Sequence, residues 1–370
     1  MKDSWRLMIP GPIELAEETR AELARPLVPH YGAEWTRFHD ETIDLLRRVF
    51  LTEGPVLAIP GSGSAGLDAA IGSSLGKRDQ LLVLSNGFFG DRIAEIARSY
   101  DPGTVVHEVP PDRPIDVQEL EAAMAKHSGI TSVALVHSES SSGLLNPVSE
   151  LTEWCKARGL LTIVDAISSL GGVSLRMDEW GIDLCISASQ KCLEGPPGLA
   201  LVAVGRDAWC RIQENDSPGW YLNLRVWHEY AEKWADWHPF PVTMAVPAFR
   251  ALRKGVDRVL QEGLDRRVSR HREVAAFVRR ELGELGFHPL FPEETASPTV
   301  IAVKGRSDLS AIALAERLKT DHGILIAGGM GRFKGEVFRI GNMGPQATEE
   351  RMGELIEAVR SVMSSGHETE

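Results

Sequence analysis

Between about residues 55 and 205 the chain alternates short apolar runs with stretches in which apolar positions recur every three or four residues. The runs Pro55–Pro60, Gln80–Ser85, Thr131–His137, Leu160–Asp165, Ile182–Ala188 and Leu199–Val204 are too short for helices and rich in Val, Leu and Ile. They read as buried strands. Helices are expected between them at Gly66–Leu75, Asp91–Tyr100 and around Val148–Arg158. Strands apolar on both faces, separated by amphipathic helices, predict a largely parallel sheet covered on both sides. From about residue 246 the rhythm changes. Helices are expected over Ala248–Glu262, Asp265–Leu285, Asp308–Asp321 and Glu349–Met363, and strands over Pro298–Val303, Ile324–Ala327 and Phe338–Ile340. The pattern predicts an α/β chain in two units: an N-terminal arm with a large domain over 1–245, and a smaller α+β domain over 246–370. The polar tail Ser364–Glu370 is expected to fray.

Composition narrows the classes. Among 370 residues, 40 Lys and Arg against 52 Asp and Glu give a net charge of −12. An anionic surface repels phosphodiester backbones, which argues against a nucleic-acid partner. Hydrophobic residues at 43% and charged residues at 25% are ordinary globular usage and argue against disorder. No apolar run approaches the roughly 18–20 residues needed to cross a bilayer. The first twelve residues carry Lys2, Asp3 and Arg6 and lack the apolar segment of a secretory leader, so a cytoplasmic protein is expected. The four cysteines, Cys155, Cys185, Cys192 and Cys210, show no C-x-x-C spacing and no accompanying His cluster. They are expected to be buried thiols rather than metal ligands.

Ligands of open α/β sheets sit outside the carboxyl ends of the strands, which directs attention to the residues just after each run. Gly61-Ser62-Gly63-Ser64-Ala65-Gly66 fits G-x-G-x-x-G between a strand and a helix. The dinucleotide reading also needs an acid at the end of the next strand, and Leu84-Ser85-Asn86-Gly87 supplies none. What survives is an anion cradle of backbone N–H groups and hydroxyls at a helix N-terminus. Three other strand ends stand out: His137 opening HSESSSG, Asp165 closing LLTIVD, and Lys191 in SASQK. A buried strand-end acid needs a cationic partner to stay ionised. A lysine at such a place is a candidate for amine chemistry. A phosphate cradle, an acid and a lysine together suggest a ligand with a phosphate, a protonated ring nitrogen and a carbonyl that forms a Schiff base. Pyridoxal 5′-phosphate (PLP) matches that description.

Pro10-Gly11-Pro12, GSGSAGLDAA, SNGFFG, HSESSSG, VDAISSLGG, SASQKCLEGPPG and Phe338-Arg339-Ile340-Gly341 occur in one order along nearly the whole chain. In this it resembles the class V aminotransferases of PLP fold type I, especially the alanine/serine–glyoxylate group and the 2-aminoethylphosphonate–pyruvate transaminases. The resemblance implies a large domain built on a mostly parallel, seven-stranded-type sheet and a smaller C-terminal domain. It implies that Lys191 forms the Schiff base and shuttles a proton, and that Asp165 pairs with the ring nitrogen. Ser62, Gly63, Ser64 and Gln190 are implied as phosphate ligands. Phe89 is implied to stack on one ring face and Ile167 to press on the other. Ser140 falls near the ring hydroxyl or the substrate carboxylate, Gly11 in the substrate site, and Arg339 as a bidentate carboxylate fork.

Relatives often bring Tyr and Thr from the partner subunit to the phosphate. Here Asp236-Trp237-His238-Pro239-Phe240-Pro241-Val242 places Pro239 where Thr is usual, and Thr243 is the nearby hydroxyl. The late loop Ala327-Gly328-Gly329-Met330-Gly331 lacks the cysteine a desulfurase needs. A dead scaffold would have no reason to keep Lys191, Asp165 and Arg339 together. The expected activity is amino transfer from alanine or serine to glyoxylate or pyruvate by a ping-pong mechanism. A 2-aminoethylphosphonate enzyme is the alternative, and a pyridoxamine–pyruvate transaminase ranks behind it. A homodimer is implied, with Trp220, Trp227, Trp234 and Trp237 as candidates for its interface.

Overall fold

The computed structural model describes residues 5–365, so most of the tail expected to fray lies outside the described residues. Seven strands form the main sheet: β1 (Val56–Pro60), β2 (Leu81–Ser85), β3 (Val105–Glu108), β4 (Ser132–Val136), β5 (Leu161–Asp165), β6 (Leu184–Ala188) and β7 (Leu199–Val204). Their order across the sheet is β1-β7-β6-β5-β4-β2-β3. Only β7 runs antiparallel to its neighbours, β1 and β6. The other six strands therefore end at one edge. Strands β2, β4, β5, β6 and β7 are buried at every position, as their unbroken apolar runs require.

β3 was not anticipated. It is an edge strand of four residues, Val-Val-His-Glu, mostly half-buried, and shows neither a long apolar run nor a clean alternation. The helices Glu17–Leu23, Ala33–Phe50, Val117–Lys126, Arg206–Glu214 and Leu224–Lys233 were likewise unread.

A second, three-stranded sheet comprises β8 (Val300–Lys304), β9 (Ala327–Gly328) and β10 (Val337–Gly341) in the order β8-β10-β9. The helices Leu264–Glu284, Ala311–His322 and Glu349–Ser364 give their apolar faces to the core on this sheet. The helix Val246–Glu262 instead buries Val246, Phe249, Leu252, Val256 and Val259 in the core of the large sheet. By packing, the chain passes to the second core only in the following helix. The arm returns as well: Arg6–Leu7 pairs in parallel with Ile324–Leu325, and Met8 joins the second core. Residues 9–12 are thereby carried over the carboxyl edge of the large sheet. No helix among the described residues is long and apolar enough to cross a membrane.

Candidate active site

The carboxyl ends of β1, β2, β4, β5 and β6 surround a cavity of about 170 Å³. Ser62, Gly63, Ser64, Phe89, Ser140, Asp165, Ile167, Gln190 and Lys191 all line it. Asp165 is the last residue of β5 and is almost fully buried. Its Oδ1 accepts the Ile167 N–H at 2.8 Å, which turns the chain so that Ile167 caps one wall. Burial pushes the Asp165 carboxyl up to about 7, the nearby Glu139 carboxylate adds to the rise, and the Ile167 N–H and Lys191 oppose it. Lys191 stands three residues beyond β6. Burial pulls its ammonium down to about 8. Its Nζ donates to the Pro10 carbonyl of the returning arm. A Cβ at Gly11 would fall 2.6 Å from Lys191 Nζ, so glycine is what lets the arm lie against the amine.

The anion cradle is the start of the helix Gly63–Ser74. Its first internal bond runs from Ala65 N–H to the Ser62 carbonyl at 2.8 Å. Among the described residues the N–H groups of Gly63 and Ser64 and the Ser62 hydroxyl have no hydrogen-bond partner. Gly63 lets Ile167 pack against the cradle: a Cβ there would lie 2.5 Å from Ile167 Cδ1. Gln190 Oε1 is buried without a partner among the described residues. Turned end for end, that amide presents an N–H donor at the same place.

The segment after β4 holds a further group that no local sequence pattern marks. Glu139 is fully buried. Its Oε2 accepts the N–H groups of Phe89 and Gly90, each at 3.1 Å, and its Oε1 accepts the Ser141 N–H at 3.0 Å and the Ser141 hydroxyl. The carboxylate therefore caps the helix Phe88–Tyr100 and fixes the Phe89 ring at the cavity wall. Burial raises its pKa, against these four donors. Arg92, one turn along the same helix, also lines the cavity, with its guanidinium 5.3 Å from the centre of the Phe89 ring. Its spacing from Phe89 was a readable signal, since residues three apart share a helix face.

Arg339 projects from β10 and is buried. Its Nε donates to the Gly328 carbonyl at 2.8 Å and Nη1 to the Ser140 carbonyl at 2.6 Å. Of the five N–H donors of a guanidinium, three remain for an anion. Ser140 lines the cavity and its carbonyl aims the arginine, so this one residue ties the two parts of the site together.

Three expectations need correction. His137 does not join the site: it packs edge-on against Trp180 with ring centres 6.1 Å apart, and burial with no ion pair lowers it to about 4. Cys210 is exposed, whereas Cys155, Cys185 and Cys192 are buried free thiols. Of the four tryptophans, Trp227 is buried at 2% exposure while Trp220, Trp234 and Trp237 are about half exposed. Pro239 is buried and Thr243 exposed.

The cavity fits PLP on its own terms. It offers N–H groups and an amide without partners among the described residues for a phosphate, a buried acid that would pair with a protonated ring nitrogen, an aromatic wall and an amine. A profile of the family described as Aminotransferase class-V matches residues 18–332. An uncharacterized aminotransferase of Methanocaldococcus jannaschii is 35% identical over 91% of this chain and 87% of its own length. An alanine–glyoxylate aminotransferase of Callithrix jacchus is 34% identical over 96% of this chain and 87% of its own. The crystal structure of an alanine–glyoxylate aminotransferase from Nostoc sp. superimposes with a TM-score of 0.93 at 30% identity, covering 98% of this chain and 96% of that one. On the fold, the cavity and these matches, the chain belongs to the class V aminotransferases, which work with pyridoxal 5′-phosphate.

Proposed function

We propose that the chain transfers the amino group of a small amino acid, alanine or serine, to glyoxylate or pyruvate, both half-reactions using the one site. The observation that carries this reading is the juxtaposition of a half-buried amine, Lys191, and a buried acid, Asp165, in a cavity of about 170 Å³. Arg339 waits beside it with donors to spare. Its planar fork, held by two carbonyls with three N–H groups left over, suits a single carboxylate head.

The cofactor, when bound, supplies an electron sink for the charge left on the substrate Cα. Asp165 holds a negative charge under the ring nitrogen and keeps it protonated. Its own raised pKa falls once that cation is present. Lys191 accepts the Cα proton at Nζ and returns it from there; a pKa near 8 leaves a usable fraction as free base at neutral pH. Ser62, Gly63, Ser64 and Gln190 hold the phosphate. Phe89 and Ile167 confine the ring between them. Arg339 would fix the substrate carboxylate and so orient the Cα toward Lys191, and Gly11 would leave room for the substrate beside the amine. The reading includes a cytoplasmic homodimer. The exposed aromatic group of Tyr31, Trp234 and Trp237, with ring centres 5.5 and 5.7 Å apart, suits a second copy.

A panel of amino donors against glyoxylate and pyruvate tests the substrate choice. Turnover of alanine or serine with either acceptor supports it. Turnover of 2-aminoethylphosphonate with none of alanine or serine replaces it with the phosphonate reading.

A further inference from the structure

Behind the cavity a buried arginine joins the two loops that carry the amine and the acid. Arg267, on the helix Leu264–Glu284, is 1% exposed. Its Nε donates to the Gly171 carbonyl at 2.7 Å, in the loop that follows Asp165. Its Nη2 donates to the Cys192 carbonyl at 2.8 Å and to Glu194 Oε1 at 2.7 Å, both in the turn that follows Lys191. Glu194 is also buried and holds a left-handed φ of 60°, unusual for a residue with a side chain. Its Oε2 accepts Arg258 Nε at 2.8 Å, and its N–H closes the turn on the Lys191 carbonyl at 3.0 Å. The two loops touch directly: a Cβ at Gly172 would lie 2.6 Å from Cys192 Sγ. The helix Val246–Glu262 presses on the same turn, with Gly255 so close that a Cβ there would lie 2.4 Å from the Leu193 carbonyl.

The same helix face reaches the substrate side. His271 donates Nδ1–H to the Arg267 carbonyl at 2.7 Å and accepts the Gly344 N–H at 3.2 Å. Asn342, three residues past Arg339, donates to the carbonyls of His271 and Pro298 at 2.8 Å each. Arg270 donates to the Gly344 carbonyl at 3.2 Å. One turn of helix thus grips the amine turn, the acid loop and the exit of the strand that bears Arg339.

We propose that Arg267, acting through Glu194, is a positioning residue that sets the distance between Lys191 and Asp165 and ties both to the Arg339 strand. The proposal rests on the reading of Lys191 and Asp165 as the groups that meet the cofactor. Arg267 does not touch the cavity. Its effect is geometric, since the planar fork meets four acceptors at once, Glu262 Oε2 at 2.8 Å being the fourth, which a single ammonium cannot reproduce.

The test is Arg267→Lys, which keeps the charge and removes the fork, with Arg211→Lys as control. Arg211 bonds Asp79, Ser132 and Thr131 at the opposite end of the strands. Both variants are expected to lose thermal stability. Only Arg267→Lys is expected to lose kcat per bound cofactor, by about 10–100-fold, with KM for the amino donor within about threefold, because a displacement near 1 Å costs about 10² in rate. The visible absorption of the lysine-linked cofactor, titrated with pH, shifts its midpoint in Arg267→Lys and stays put in Arg211→Lys. Glu194→Gln keeps the shape and shows the same changes at smaller size, which covers the case in which Arg267→Lys fails to fold. Full kcat per bound cofactor and an unmoved titration in both Arg267→Lys and Glu194→Gln overturn the proposal. Failure of the underlying reading is separately visible, because the wild-type protein would then show no cofactor attached to Lys191.

Discussion

Gly11 offers a sharp test of the site because it stands where the arm meets the amine, next to the Pro10 carbonyl that accepts from Lys191 Nζ. Its φ is +99°, and a Cβ built on it falls 2.6 Å from Lys191 Cδ and Nζ and 2.7 Å from Cε. Gly11→Ala therefore carries two costs. A side chain at such a φ strains the backbone by about 1–3 kcal/mol. The overlap must also be relieved, and the yielding group is the far end of the lysine, which has to retreat by about 0.8 Å to regain ordinary contact at 3.4 Å. Lysine bends easily, so the overlap adds little to the stability loss and shows up in the chemistry instead. A misplacement near 1 Å costs about 10² in rate. Gly32 separates the two costs: its φ is +88° and nothing lies within 4 Å of its Cβ position. The assay is steady-state kinetics with the best amino donor, beside thermal melts. Both variants are expected to melt lower by similar amounts. Gly11→Ala is expected to lose about 100-fold in kcat, and Gly32→Ala to keep wild-type kcat. Equal kcat in the two variants, whether high or low, would refute the placement of the arm against the reacting amine.

Asp165→Asn keeps the shape and removes the charge; the pKa of the bound ring nitrogen is expected to fall by about 1–3 units, read by ultraviolet titration, with a parallel loss of kcat. An unchanged titration counts against Asp165 as the ring partner. Arg339→Lys leaves the Ser140 and Gly328 carbonyls short of donors and a carboxylate without its fork, so kcat/KM for amino acid donors is expected to drop about 10–100-fold, since hydrogen bonds to charged groups contribute about 1.5–3 kcal/mol. In the cofactor-free protein, burial holds the Lys191 ammonium near 8 against an ordinary 10.5. The amine is protonated below that value and free above it. Modification of Lys191 by an amine-selective reagent, followed by peptide mass, is expected to rise through pH 8 and to be nearly complete by pH 9.5; a rise centred near 10.5 contradicts the burial of the amine.

The parts of the fold read most easily from the sequence are those where one physical demand dominates. β4, β5 and β6 are buried on both faces, so their apolar runs leave no second interpretation. β3 lies at an edge with one neighbour, and its half-buried residues carry no such signature. In the site, Asp165, Lys191 and the cradle could be read because each follows directly from a strand end. The same rule misplaced His137, because a strand-end position fixes where the chain stands and not which way the side chain turns; this one turns to Trp180. Glu139 was hidden for a related reason. In HSESSSG it looks like one more polar residue, and what gives it a role is the pair of N–H groups at Phe89 and Gly90, about fifty residues earlier. Arg267 lies farther off still, 75 residues beyond the carbonyl it holds at Cys192, and nothing local marks it among the six arginines and four acidic residues of its helix as the buried one. Contacts of that separation are made by the packing of one unit on another, which a single sequence does not display.

Every proposed role in the site depends on Lys191 as the residue that carries the cofactor. Reduction of the purified, cofactor-loaded protein with borohydride makes the link permanent, and digestion with mass mapping then locates it. A pyridoxyl label is expected on the peptide containing Lys191 and on no other lysine; a label at a different residue, or none at all, contradicts that assignment.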